Sequence, residues 1–410
     1  MFGCRSGASV AAGCRPCWPA VFQQFPPNCA DCCRAQFLFA FVRDPFIRWR
    51  APKWYSPTVL NGRRSNVLGA NRDTGEVMNA DAVDAPWKPD LDYSLDVDAV
   101  TGRFPAMADF RRKLGGTRLV EVPVPAGSAR VLAKAEWENP CGSIKDRTAF
   151  ALLCEVLADC DDPRGLHLVE YSGGNLAAPL SVLCGRLGVR LTLVLSEATP
   201  GDYVDELRSR GAAVDLVDRE EGFLGVMERA RELSGTGRLL YQHRSQANLW
   251  MHRISTGAEV VEQLGEAVPD RFVASVGTGG TLVGVLSALG ERHPGVRGVV
   301  VTPSELPYGS DEPPNGRPKY AGSGGLGNGI RQPFVLGAVD RMDGYRTVSR
   351  PRAISLMRQC LDETGMRLGS SAAANWRTAL DVAAELGEGA TVVTVFPDAG
   401  SPSEWAEAGR

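Results

Sequence analysis

The chain has 410 residues, 44% of them hydrophobic and 23% charged, with a formal net charge of -3. This is the make-up of a soluble globular protein long enough for two average domains or one two-lobed unit. It offers no basic surplus for nucleic acid or an anionic membrane, and no apolar run nears the roughly 20 residues that span a bilayer.

The first 77 residues are rich in Cys, Arg, Pro and Trp, carry breakers such as "FPPN" and "NGRR", and show no sustained period. Six of the 11 cysteines fall in the first 33 residues: Cys4, Cys14, Cys17, Cys29, Cys32 and Cys33. Cys14 and Cys17 with Cys29 and Cys32 have the paired spacing of a four-thiolate zinc site. The competing reading is an unstructured leader, or upstream sequence translated ahead of a start near Met78. "AQFLFAFV" at 35–42 is too short for a span and lacks the flanks of a signal peptide. The acidic stretch "MNADAVDAPWKPDLDYSLDVD" reads as a linker. Residues 1–104 are therefore expected to be a Cys-rich extension without fixed structure. The remaining cysteines (Cys141, Cys154, Cys160, Cys184 and Cys360) are scattered, and in a cytoplasmic protein they would stay reduced and pack as small apolar groups.

From about residue 105 the texture becomes regular. "RVLAKAEW", "GLHLVEYS", "RLTLVLS", "AAVDLVD", "DRFVASVG", "GVRGVVVTPSE" and "ATVVTVFPD" are strand-like runs, and helical periods such as "NLAAPLSVLCGRLG", "VDELRSRG" and "TLVGVLSALGER" alternate with them. Short continuous β-branched runs between helices predict parallel strands covered on both faces, an α/β architecture. No internal repeat is present.

Four loops lie where open α/β sheets bind ligands. In "NPCGSIKDR", Gly142 permits a tight turn and Ser143 is a predicted N-cap with Asp146 three residues on, close to a capping box. Lys145 would then sit in the first helical turn, where the helix dipole and burial both disfavour its ammonium form and lower its pKa. A neutral amine there is a nucleophile suited to an aldehyde; a surface lysine paired with Asp146 is the ordinary alternative. In "EYSGGNLAAPL", Ser172, Gly173, Gly174 and Asn175 stand between a strand and a helix and would face a ligand at the helix start. In "SVGTGGTLVGV", Gly277, Thr278, Gly279, Gly280 and Thr281 join strand to helix almost without side chains, so their amides can close around a phosphate. That loop lacks the G-K-[ST] ending of a triphosphate loop and half of a dinucleotide fingerprint, so a single phosphate fits better. Each of these loops also reads, alone, as an ordinary turn. The fourth, "VVTVFPDAG", ends the final strand.

A poised lysine, a single-phosphate cradle and a polar loop for a small anion together suggest pyridoxal phosphate. In order along the chain, "GGTRLVEV", "ARVLAKAEWENPCGSIKDR", "EYSGGNLA", "YQHRSQANLWMHRISTGAEV", "VGTGGTLVG", "GLGNGIRQP", "GSSAAA" and "VVTVFPDAG" resemble the cysteine synthases. These belong, with cystathionine β-synthase and the tryptophan synthase β chain, to the fold type II pyridoxal phosphate enzymes. The resemblance covers about residues 113–403. It implies a two-lobed α/β fold of parallel twisted sheets: a smaller lobe over 145–250, and a larger cofactor-binding lobe from 105–144 and 251–403. It also implies a homodimer. By the same resemblance Lys145 carries the cofactor and acts as base on the substrate Cα. Asn175 contacts the cofactor ring oxygen, Ser172 to Asn175 with Gln242 hold the substrate carboxylate, and Gly277 to Thr281 hold the phosphate. The activity implied is conversion of an activated serine, via aminoacrylate, into cysteine or another β-substituted alanine, a step of amino-acid biosynthesis. The alternatives are a β-eliminating lyase or dehydratase, or a degenerate cofactor-binding homologue.

Three departures stand out. The family's "TSGN" loop is "SGGN" here, so Gly173 replaces a hydroxyl near the substrate. Ala399 stands where a serine partners the cofactor's ring nitrogen, leaving water or Ser401 as substitutes. Cys141 occupies a position more often small or hydroxylated, either as packing or as a thiol near the cofactor.

Overall fold

The β-branched runs pair in parallel because nearly every one is followed by a helix long enough to carry the chain back over the sheet. The computed structural model describes residues 90, 92–172, 174–305, 309, 325–327, 329 and 331–409. The proposed zinc cysteines, the Met78 start and Gly173 lie outside these.

Among the described residues ten strands form two sheets: β1 (Leu119–Val122), β2 (Arg130–Ala135), β3 (His167–Tyr171), β4 (Arg190–Ser196), β5 (Ala213–Val217), β6 (Arg238–Leu239), β7 (Arg271–Ser275), β8 (Arg297–Pro303), β9 (Met342–Val348) and β10 (Thr391–Phe396). The larger sheet runs β1-β2-β10-β7-β8-β9 and the smaller β5-β4-β3-β6. All pairings are parallel except β1 with β2, which are joined by a turn too short for a crossover. Every residue of β10 is buried, as expected of a central strand covered on both faces.

On the larger sheet, helix Gly280–Arg292 packs through Leu282, Val285 and Leu286 against β7 and β8 residues such as Phe272 and Val300. Helices Arg350–Thr364 and Ser370–Leu386 contribute Leu356, Met357 and Trp376 to the core of the other face. On the smaller sheet, helices Lys145–Leu157 and Ala177–Leu187 share a core with Leu168, Leu191 and Leu193, and Gly222–Leu233 covers the opposite face with Val226 and Ala230.

Order begins earlier than the sequence suggested. Val97–Arg103 and Pro105–Arg111 are helices, so residues 97–104 do not belong to an unstructured extension. Their acidic, proline-interrupted texture hides an apolar stripe (Val100, Phe104, Met107 and Phe110) that packs into the smaller lobe's core, with Phe110 stacked on Phe150 at 6.3 Å. The burial of four such side chains outweighs the weak local signal.

Two loops are tied together at the carboxyl ends of the strands. The Ile144 amide donates to the Pro397 carbonyl at 2.9 Å, and Ser143 bridges Asp398. The start of helix Lys145–Leu157 is therefore fixed to the end of β10. Among the described residues no helix is long and apolar enough to cross a membrane.

Candidate functional site

A cavity of about 1140 Å³ opens at the carboxyl ends of β3, β7 and β10, and Lys145 lines it. Helix Lys145–Leu157 begins at Lys145 itself, with Ile144 as N-cap. The expected Ser143–Asp146 capping box does not form. The Ser143 hydroxyl instead accepts from the Lys145 amide at 3.2 Å, and the Asp146 carboxylate turns back to the Cys141 amide. Both side chains thus hold the loop that delivers the lysine.

Burial pushes the Lys145 amine down from its ordinary value to about 8, against the opposing pull of the Glu170 charge. Its Nζ donates to Gln242 Oε1 at 3.2 Å. Gln242 is oriented from behind, Nε2 donating to the Tyr171 carbonyl at 3.0 Å and, more loosely, to Glu170 Oε1 at 3.4 Å. Glu170 is fully buried, and that burial pushes its carboxyl well up, although amides of Tyr171, Gln242 and Tyr241 stabilise its charged form.

The glycine turn after β7 lines the same cavity. Gly279 has φ +86°, and a Cβ there would come within 2.8 Å of Val335 Cγ2. A Cβ on Gly280 would lie 2.8 Å from Asn248 Oδ1, so both positions exclude any side chain. Gly280 opens a helix of 13 residues, whose free amides and positive end face the cavity mouth of the turn. Thr278 Oγ1 accepts from the Gly280 amide at 3.2 Å and Thr281 Oγ1 meets His252 Nε2 at 3.3 Å, which fixes the turn.

Ser172 is buried, and its hydroxyl accepts from the Gly174 amide at 3.0 Å. The Tyr203 hydroxyl donates to the Gly174 carbonyl at 3.0 Å and braces the loop from outside. Asn175 Nδ2 donates to Asp398 Oδ2 at 2.7 Å. Burial, aided by Glu404, pushes the Asp398 carboxyl up to about 6.

Of the residues singled out from sequence, Lys145, Ser172, Gly174, Asn175, Gln242, Gly277, Thr278, Gly279 and Thr281 all line this one cavity. Gly280 stands behind them as the helix start. Ala399 does not line it: the β10 loop presents Asp398 and Ser401 instead, while the Ala399 carbonyl accepts from Trp405 Nε1 at 2.8 Å. Ser401 is no ready substitute for the missing serine, because its hydroxyl caps helix Pro402–Ala408 in a capping box with Glu404. Cys141 also lines the cavity, but burial and the Asp146 charge push its thiol up to about 12, so it stays protonated and unreactive. Among the described residues no cluster of His, Cys, Asp or Glu could hold a metal ion.

Sequence reasoning missed Asn248. Fully buried, it donates through Nδ2 to the Gln242 carbonyl at 2.9 Å and to Thr278 Oγ1 at 3.1 Å, and accepts from Thr148 Oγ1 at 3.1 Å. It joins the lysine's partner to the glycine turn. Its one sequence signal is an amide inside the apolar run "ANLWM", where a buried polar group needs partners. His243 and Ser371, both at the cavity wall, were missed as well.

These donors suit pyridoxal phosphate: an amine near neutrality for the aldehyde, and a side-chain-free helix start for one phosphate. The space exceeds what such a ligand fills and leaves room for an amino acid. The family model described as pyridoxal-phosphate dependent enzyme matches residues 111–398. A cysteine synthase of Staphylococcus aureus is 31% identical over 293 residues, 70% of this chain and 92% of that protein. An O-acetylserine dependent cystathionine β-synthase from Helicobacter pylori superposes with a TM-score of 0.64 at 26% identity, covering 71% of this chain and 95% of that one. An O-ureido-L-serine synthase does so at 0.65 and 26%, covering 74% and 93%. The match spans both sheets and the loops that meet at the cavity, and the chain belongs to the family of pyridoxal-phosphate dependent enzymes.

Proposed function

We propose that the protein replaces the β-substituent of an activated serine with a nucleophile, yielding cysteine or another β-substituted alanine. The observation that carries this reading is the meeting of Lys145, Gln242, the Ser172–Asn175 loop and the glycine turn on one cavity. In it, Lys145 would hold the cofactor's aldehyde carbon, Gly277 to Thr281 its phosphate, and Asn175 its ring oxygen. The bound ring supplies an electron sink for charge that develops at Cα. Ser172, Gly174 and Gln242 bind the substrate carboxylate and orient the Cα proton. Lys145 takes that proton at Nζ, and burial favours the unprotonated amine that can accept it. A loop without the family's second hydroxyl, Gly173, favours a specialised donor or acceptor over housekeeping cysteine synthesis. The smaller and larger sheets are read as the two lobes, 145–250 and 105–144 with 251–403. A cytoplasmic location agrees with the five described cysteines being free, and a homodimer is what the family resemblance implies.

The direct test uses purified protein loaded with pyridoxal phosphate. Offered O-acetylserine or O-phosphoserine with sulfide or an amine, it is expected to release a product of the mass of the β-substituted alanine. Pyruvate and ammonia as the main products, with nucleophile present, would sink the replacement reading in favour of elimination.

The pH dependence of loading follows from the lysine. Its folded value lies below the ordinary one, so the neutral fraction grows as pH rises through about 8. Cofactor-free protein mixed with pyridoxal phosphate should gain visible absorbance faster as pH climbs from roughly 6.5, levelling off above roughly 9. A rate indifferent to pH over that range contradicts the assignment of the amine.

A further inference from the structure

Gln242 and His243 are neighbours in sequence, yet both line the cavity. The backbone makes this possible at Tyr241, whose φ of 56° is the one positive value among described non-glycine residues. Such a conformation is strained and persists where the surroundings enforce it. Here the Tyr241 and Gln242 amides are held to the buried Glu170 carboxylate.

His243 is stacked on Tyr171, ring centroids 5.4 Å apart and planes 16° apart, with Phe223 tilted against it at 6.1 Å. The Tyr171 hydroxyl lies 2.6 Å from His243 Nδ1. Tyr171 is fully buried, which pushes its ionisation up, so the hydroxyl keeps its proton. No other acceptor serves that proton among the described residues, so the hydroxyl donates and Nδ1 accepts. Burial and the nearby Lys145 charge push the His243 imidazolium down to about 3, leaving the ring neutral. The single ring proton is then on Nε2, which has no partner among the described residues although the side chain is only 8% exposed. A neutral N–H donor is held at the cavity wall and aimed at nothing the protein supplies.

One polar part of the substrate still lacks a partner: its amine would take the place of Lys145 at the cofactor's aldehyde carbon, and its carboxylate goes to the Ser172 loop and Gln242. We propose that His243, fixed as the Nε2–H tautomer by Tyr171, donates a hydrogen bond to an acceptor oxygen of the group on the substrate's Cβ and so selects donors with an oxygen-bearing leaving group. Tyr171 is the positioning residue. This assignment rests on the β-replacement reading.

The test compares O-acetylserine with β-chloroalanine, whose leaving group has no oxygen to accept from Nε2. In cofactor-loaded protein, His243→Phe is expected to lower kcat/KM for O-acetylserine at least ten-fold more than for β-chloroalanine, and His243→Gln to recover part of that difference. Tyr171→Phe, which keeps the stack but frees Nδ1, should give a smaller loss of the same selectivity. Nitrogen NMR of the wild-type protein should show His243 protonated on Nε2 alone across neutral pH. Equal losses for both donors would mean a merely structural histidine and would overturn the assignment, as would an Nδ1–H tautomer. Wild-type protein that turns over neither donor brings down the replacement reading itself, and this assignment with it.

Discussion

Lys145→Ala is expected to abolish turnover, with a loss of roughly 10⁴-fold or more in kcat, because the one amine is proposed both as covalent anchor and as base. The fold should survive it. Lys145 Nζ makes one hydrogen bond, to Gln242, and its ammonium is disfavoured both by burial and by its place at a helix start. Removing it relieves a cost, so the melting temperature of the cofactor-free variant should match or exceed that of the wild type. Borohydride treatment should attach a pyridoxyl mass to the Lys145 peptide of the wild type and to no peptide of the variant. The proposed phosphate site at the Gly277–Thr281 turn is untouched, so the variant should still bind the cofactor weakly and reversibly, seen by dialysis. Activity within ten-fold of wild type would remove Lys145 from the chemistry.

Much of this was legible in the sequence, for reasons that are local. The strand runs were readable because buried parallel strands are short, continuous and β-branched, as in "TVVTVF" and "RLTLVLS". The glycine turn was readable because positive φ and close approach to Val335 and Asn248 admit nothing but glycine. What escaped depends on contacts across the fold. Asn248 acts from 30 positions before Thr278, and Asp398 from 223 positions after Asn175. His243 carries meaning only once Tyr171 is seen stacked on it. Ser143 and Asp146 had the spacing of a capping box but were drawn to the Lys145 and Cys141 amides, a tertiary override of a local rule. Helix Val97–Arg103 was missed because its acidic surface speaks louder than its apolar stripe.

Arg147→Ala is the substitution expected to cost the most stability, about 3–5 kcal/mol. The guanidinium is 1% exposed, and Nε and one terminal nitrogen meet Glu136 at 2.8 Å each, a paired fork on a carboxylate that is itself fully buried. Its other contacts are Glu259 at 2.6 and 2.9 Å, the Ser255 hydroxyl at 2.9 Å and the Thr117 hydroxyl at 3.3 Å. Glu136 is held further by the Thr117 hydroxyl at 2.7 Å and Asn139 Nδ2 at 2.8 Å, and Lys134 completes the set at 2.8 Å from Glu259. The alanine variant strands the Glu136 charge without its counter-ion, so the penalty is chiefly the desolvated carboxylate rather than the lost attraction. Arg147→Ala combined with Glu136→Gln should therefore be less destabilising than Arg147→Ala alone, a non-additive result that a double-mutant cycle in denaturant would read directly. Arg147→Lys should recover only part, since a point charge cannot reproduce the fork. Burial alone would raise Glu259, but Arg147 and Lys134 outweigh it and hold the carboxyl at about 2. Its folded value lies below the unfolded one, so its contribution is full above the ordinary carboxylate range and fades as pH falls towards 2. The network sits two residues after Lys145 and joins its helix to β2 and to helix Ala258–Leu264. Losing it should also loosen the lysine and weaken cofactor retention by at least several-fold. Additive losses in the cycle would show that Arg147 and Glu136 are not coupled, and an unchanged cofactor affinity would show that the network has no hold on the site.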